Sequence, residues 1–178
     1  MIEPWYIAVK SFSPVREEEW KKYIQWSGLT QLEEVIGLDN ELCPRVVDTL
    51  EPDDWKHNVQ QDYCTDFFRN LNYLKSRIAE VENCNLLAVT HNPQSECREV
   101  PFHPDFQFKG YELIDTKTGI SALTNCRGFP LAFMNEELSK AGLISELARA
   151  REIQAALREH YAEEPHSHCD IRAVWKMA

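Results

Sequence analysis

The sequence predicts an α+β fold, a single domain over residues 1–178 with a mainly antiparallel sheet and two long helices packed on one of its faces. Three observations predict it. Short runs rich in aromatic and β-branched residues occur near both ends and in the middle of the chain. Two longer segments carry apolar residues at helical spacing, and those stripes must be covered by something. No repeat, low-complexity stretch or linker divides the 178 residues, of which 43% are hydrophobic and 27% charged.

Taken in order, Trp5-Tyr-Ile-Ala-Val-Lys-Ser-Phe12 reads as a first strand. Ser13-Pro14 follows as an N-cap with proline at the first helical position, and Glu17, Glu18 and Glu19 suit the positive end of a helix. That helix carries Trp20, Tyr23 and Ile24 on one face and stops at Gly28. Leu32–Leu38 fits a short helix or a strand, with Val35-Ile36 before Gly37 favouring strand. Pro44 and Pro52 preclude a long regular element between Asp39 and Trp55. Phe67, Phe68, Leu71, Leu74 and Ile78 then have helical spacing, which predicts the first long helix over about 62–83.

Asn85-Leu-Leu-Ala-Val-Thr90 is a short apolar strand, and His91 to Asp105, with three prolines, is a loop. Phe108–Ile114 and Ile120–Thr124 flank Asp115-Thr-Lys-Thr-Gly119 and predict a hairpin. Gly128 and Pro130 break the chain, and Asn135 caps a helical turn that lasts to Gly142. The second long helix starts at Ser145, with Leu147, Ala150, Ile153, Leu157 and Tyr161 as its stripe. A last strand covers about 170–176. The stretches Gly119–Phe133 and Glu164–Trp175 resemble parts of small bacterial proteins, a likeness that identifies no family and implies no activity.

Charge narrows the classes of partner. The net charge is −10, and residues 30–66 hold ten acidic and two basic side chains, a local −8. Such an excess repels phosphate backbones, which argues against nucleic acid. It speeds association with a basic protein, although acidic surfaces also serve solubility alone. No run approaches eighteen apolar residues, and the opening Met1-Ile2-Glu3-Pro4-Trp5 lacks the basic and apolar regions of a signal peptide. The expected address is the cytoplasm, away from membranes. There the six cysteines (43, 64, 84, 97, 126 and 169), none in a Cys-x-x-Cys pair, are expected as thiols.

Six scattered glycines build neither a P-loop nor a dinucleotide fingerprint, and the signatures of zincins, α/β-hydrolases and EF-hands are missing. No cofactor is implied. Three candidate sites remain. His166, His168, Cys169 and Asp170 lie together, and with His91, Cys97 and His103 they form a pool of metal donors. Their spacing matches no established zinc pattern, so the expectation is no bound metal and a polar run leading into the last strand. Cys126 stands before a glycine turn and beside Arg127, a place for an activated thiol with His91 or His166 as its base. Against that, cysteine mostly acts as a small buried hydrophobe.

The third candidate, Glu51, Asp53, Asp54 and Trp55, sets a large aromatic among carboxylates and suits a basic partner. The same residues also suit a helix start with Trp55 turned into the core. The balance favours a non-enzymatic protein-binding module that engages a basic partner through residues 30–66. Immunity or antitoxin-type inhibitors share that general character of size and charge. The alternative is a small enzyme built on Cys126. Nothing in the sequence fixes the oligomeric state.

Overall fold

Trp5–Lys10 forms strand β1 in the computed structural model, which describes residues 3–38, 52–62, 65–98, 103–126 and 128–178. A 3-10 turn over Pro14–Arg16 leads into helix α1, Glu17–Ser27, whose first turn holds Glu17, Glu18 and Glu19. The helix ends where Gly28 takes φ +71° and its N–H bonds the Ile24 carbonyl, a left-handed cap that glycine adopts without strain. The elements that follow are α2 (Pro52–Asn58), β2 (Val59–Asp62), β3 (Thr65–Phe68), α3 (Leu71–Arg77), β4 (Cys84–His91), β5 (Phe106–Asp115), α4 (Leu147–His160) and β6 (Cys169–Met177). None of the described helices is long and apolar enough to cross a membrane.

The six strands form one sheet in the order β2-β3-β1-β4-β6-β5, and every pairing is antiparallel. The last strand inserts between β4 and β5, so it joins the edge strand β5 to the rest of the sheet. Ala8, Leu86, Ala88, Tyr111, Leu113, Ile171, Ala173 and Trp175 face one side, where Leu147, Ala150, Ile153 and Leu157 of α4 and Leu74 of α3 cover them. Trp20, Tyr23 and Ile24 of α1 pack on the same cluster. The opposite face, with Ile7, Val9, Phe67, Leu87, Val89, Ile114 and Val174, is closed by Ile36, Leu38 and Leu143. Burial on both faces explains why these strands read as continuous apolar runs instead of alternating ones.

Several expectations need correction. The long helix over 62–83 does not form: residues 65–68 are strand β3, and α3 has only seven residues. Asn70 starts it, its side chain accepting the Tyr73 N–H. Of the two long helices expected on one face, α4 with 14 residues is present and α3 is a short companion. The predicted hairpin is also incomplete. Its turn exists, but β5 pairs with β6, and the returning segment touches β5 only around the Ile114–Ser121 bridge. Ser121 turns its hydroxyl into the buried Glu112 carboxylate, and its Oγ accepts the Leu123 and Thr124 N–H groups, which curls the chain out of strand geometry. Residues 32–38 form a single bridge, Phe12–Val35, and no strand. Helix α4 starts at Leu147 with Glu146 as N-cap, not at Ser145. The segment after Asn135 is a 3-10 turn ending at Glu137.

Candidate functional site

Of the sequence-predicted site residues the structure brings His91 and Asp170 into contact, while Cys126, His103, His166 and His168 have other neighbours. Cys126 packs against the helix-side cluster. His91 pairs in register with Arg172, which alternates with Ile171 and Ala173 and therefore belongs to the other face of the sheet. There His91 Nε2 lies 2.8 Å from Asp170 Oδ2, and Nδ1 lies 3.8 Å from Asp62 Oδ2. His166 has φ +65°, which breaks the extended run expected to align it with His168. Its ring meets the Thr118 hydroxyl at 3.0 Å, whereas the His168 ring meets the Ala162 carbonyl at 2.9 Å. His103 Nδ1 accepts the Asp105 N–H. Each of these four imidazoles thus has its own partner, and among the described residues no three His, Cys, Asp or Glu side chains are grouped to hold a metal ion.

Cys84, Cys97, Cys126 and Cys169 are thiols. Burial pushes the Cys169 thiol well above the ordinary cysteine range, and the nearby Asp115, Glu112 and Cys126 push it the same way. It is the opposite of an activated nucleophile. Asp53 is exposed and Asp54 half-buried at the start of α2, while Glu51 and the Trp55 side chain lie outside the described residues. Three other carboxylates of the acidic segment are already engaged: Glu33 with Lys140, Glu34 with Lys176 and Asp62 with Arg172.

One concavity with a buried apolar floor escaped the sequence reading. It opens between the end of α1 and the loop 123–136, with a volume of about 340 Å³. Leu29, Leu123, Phe129 and Phe133 are buried and form its floor. Trp26, 42% exposed, and Met134, 56% exposed, stand at its rim together with Glu136. Leu131, 68% exposed, extends the apolar surface beyond it. Cys126 lines the wall, and no described histidine does.

This loop is held by groups well separated in sequence. Tyr23 Oη donates to the Thr124 carbonyl at 2.9 Å, and Gln31 donates to the Asn135 carbonyl at 2.6 Å. From behind, Tyr161 accepts the Leu131 N–H while its ring stacks edge-on against Phe129. Arg149 of α4 completes the clamp, donating to both Glu137 oxygens and to the Ala132 carbonyl. These bonds hold the Glu137 carboxyl below its ordinary value. The apolar run Phe129-Pro-Leu-Ala-Phe-Met134 after Gly128 was the available signal, but it has neither helical nor strand period.

Comparison with protein-family models, curated proteins and solved structures gives no match. The chemistry must be argued from the pocket itself. It combines an apolar floor, exposed Trp and Met and one carboxylate, which suits binding of an amphipathic group. It has no nucleophile–base pair among the described residues.

Proposed function

We propose that the protein is a non-enzymatic binding module that engages a basic protein partner, with the acidic segment 30–66 and the adjoining pocket on its recognition face. The observation that carries this reading is the rim of the pocket. Trp26 and Met134 are exposed there, directly beside the point where the acidic segment begins. Aromatic residues and methionine are enriched where interfaces bury their centres, and surrounding charge steers the encounter. Glu33, Glu34 and Asp62 are paired within the chain, and Glu51, Asp53, Asp54 and Trp55 are the proposed contact group. A cytoplasmic location in a bacterial host belongs to the same reading.

The test is capture of partners from native host extract on the immobilised full chain, at low and high salt. Basic proteins whose retention falls with salt, and weakens in Asp53→Lys/Asp54→Lys and in Trp26→Ala, support it. Partners that are not basic, or retention indifferent to salt, refute it.

The alternative is a small enzyme using Cys126, favoured by one observation, that this thiol lines the pocket. His91 and His166, its proposed bases, are engaged elsewhere, with Asp170 and Thr118. Cys126→Ala separates the two readings, since a binder keeps its partner and a thiol enzyme loses turnover.

A further inference from the structure

We infer that the pocket bounded by Trp26, Phe129, Phe133, Met134 and Glu136 receives an arginine side chain of the partner, an inference that rests on the binding-module reading above. Size comes first. At about 340 Å³ the pocket has room for one long side chain. The buried floor of Leu29, Leu123, Phe129 and Phe133 offers apolar contact to a methylene stem. Trp26 and Glu136 both line the pocket, an indole and a carboxylate, and a guanidinium has affinity for each. Its weakly hydrated plane stacks on aromatic faces, and its fork pairs with carboxylates.

Charge separates the possible occupants. Glu136 is exposed and enters none of the ion pairs found among the described residues. A leucine would fill the floor and gain nothing from Glu136. An acidic side chain would be repelled, both by that carboxylate and by a chain of net charge −10. Lysine would supply charge, but as a compact and strongly hydrated ammonium it gains less from the indole. The site also needs little rearrangement, because Arg149, Tyr161, Tyr23 and Gln31 already fix the loop that forms it.

The experiment is a titration of the isotope-labelled full chain with three capped tripeptides, Gly-Arg-Gly, Gly-citrulline-Gly and Gly-Leu-Gly, followed by NMR. Citrulline keeps the shape of arginine and removes its charge. The arginine peptide is expected to shift the Trp26 indole N–H and the backbone of 128–136. It should bind at least about fivefold tighter than the citrulline peptide, a difference of roughly 1 kcal/mol. Glu136→Gln should reduce it to the citrulline level while the resonances of α4 and the sheet stay in place. Equal binding of citrulline or leucine, shifts centred elsewhere, or no shift at about 10 mM peptide would each overturn the inference. If the peptides fail while a basic partner is still captured in a salt-dependent way, the binding-module reading survives without the arginine site. Loss of both removes both.

Discussion

Asp62 and Arg172 form an ion pair although their strands, β2 and β6, stand first and fifth across the sheet. The reach is possible because β3 joins β1 through a single register pair, Tyr6–Phe68. The β2–β3 pair is therefore free to bring Asp62 across to Arg172 of β6. Phe67 fills the space beneath, with the Arg172 guanidinium carbon 6.0 Å from its ring centre and the Trp5 ring 5.5 Å away. Arg172 is 3% and Asp62 14% exposed, so the two charges are largely withdrawn from water.

Removing one member of such a pair should cost far more than removing both. Arg172→Met leaves the Asp62 carboxylate without its guanidinium, and the expected loss is about 3–5 kcal/mol. Adding Asp62→Asn should recover part of that loss. Urea denaturation of the two single variants and the double variant measures the coupling. A loss below about 1 kcal/mol for Arg172→Met would mean that the pair is solvated like a surface ion pair.

Gly110 should be the position least tolerant of a methyl group. Its φ is +144°, and a Cβ built there would lie 2.7 Å from the Ile144 carbonyl oxygen and 2.8 Å from Leu143 Cβ. The close approach is needed because Tyr111 and Ile144 exchange backbone hydrogen bonds of 2.7 and 3.0 Å at this bulge of β5. Relief would require separating the chains and breaking those bonds. Gly110→Ala is expected to lower stability by roughly 2–4 kcal/mol. Gly128→Ala, with nothing within 4 Å of its added Cβ, is the control for backbone strain alone. Equal losses in the two variants would refute the steric account.

What was legible in the sequence follows from which forces are local. The run Leu147–Leu157 repeats at helical spacing, and Gly28 caps α1 by its own conformation, so both features could be read. The misread helix has a physical cause. Phe67 and Phe68 are consecutive because they fill opposite faces of a sheet buried on both sides, and consecutive apolar residues beside Leu71 and Leu74 imitate a helix. The turn after β5 was legible through Asp115, whose Oδ1 accepts the Lys117 and Thr118 N–H groups. The partner of β5 was not, because β6 arrives from more than fifty residues away. The pocket was hidden for the same reason, since Trp26 and the 128–136 loop meet only through tertiary contacts.

The clamp behind the pocket should matter more for binding than for stability. Arg149 and Glu137 are each about one-third exposed, so Arg149→Met is expected to cost only about 1 kcal/mol of stability. It also frees the Ala132 carbonyl and the Glu137 carboxylate, which loosens the loop carrying Phe133, Met134 and Glu136. Partner capture should therefore weaken severalfold in a chain that still folds. Glu137 titrates below its ordinary value, so its contribution is present above the unfolded carboxyl pKa of about 4.3 and is lost as pH falls through the lower folded value. That acid-side loss should be smaller in Arg149→Met. Unchanged capture would show that the loop keeps its shape without the clamp.

The alkaline limb of stability should be governed by buried thiols. Burial raises the thiol pKa values of Cys84, Cys97 and Cys169, and that of the Tyr111 phenol. An acid whose folded pKa is raised keeps its proton in the folded state after the unfolded chain has lost it. The unfolded state then binds fewer protons, so stability falls with rising pH. The fall should begin near the unfolded cysteine value of about 8.5 and steepen past the tyrosine value of about 10, with each group contributing at most about 1.4 kcal/mol per pH unit. Below about pH 7 these groups contribute almost no slope. Cys169→Ala should flatten the decline between about pH 8.5 and 10, and Tyr111→Phe should remove part of the steeper limb above it. Tyr111→Phe carries its own cost at neutral pH, because the hydroxyl that accepts the Cys97 N–H and donates to Glu96 is gone. Urea midpoints under reducing conditions from pH 7 to 10.5 measure these effects. A midpoint that stays level across that range in the native sequence would show that these thiols ionise as readily folded as unfolded.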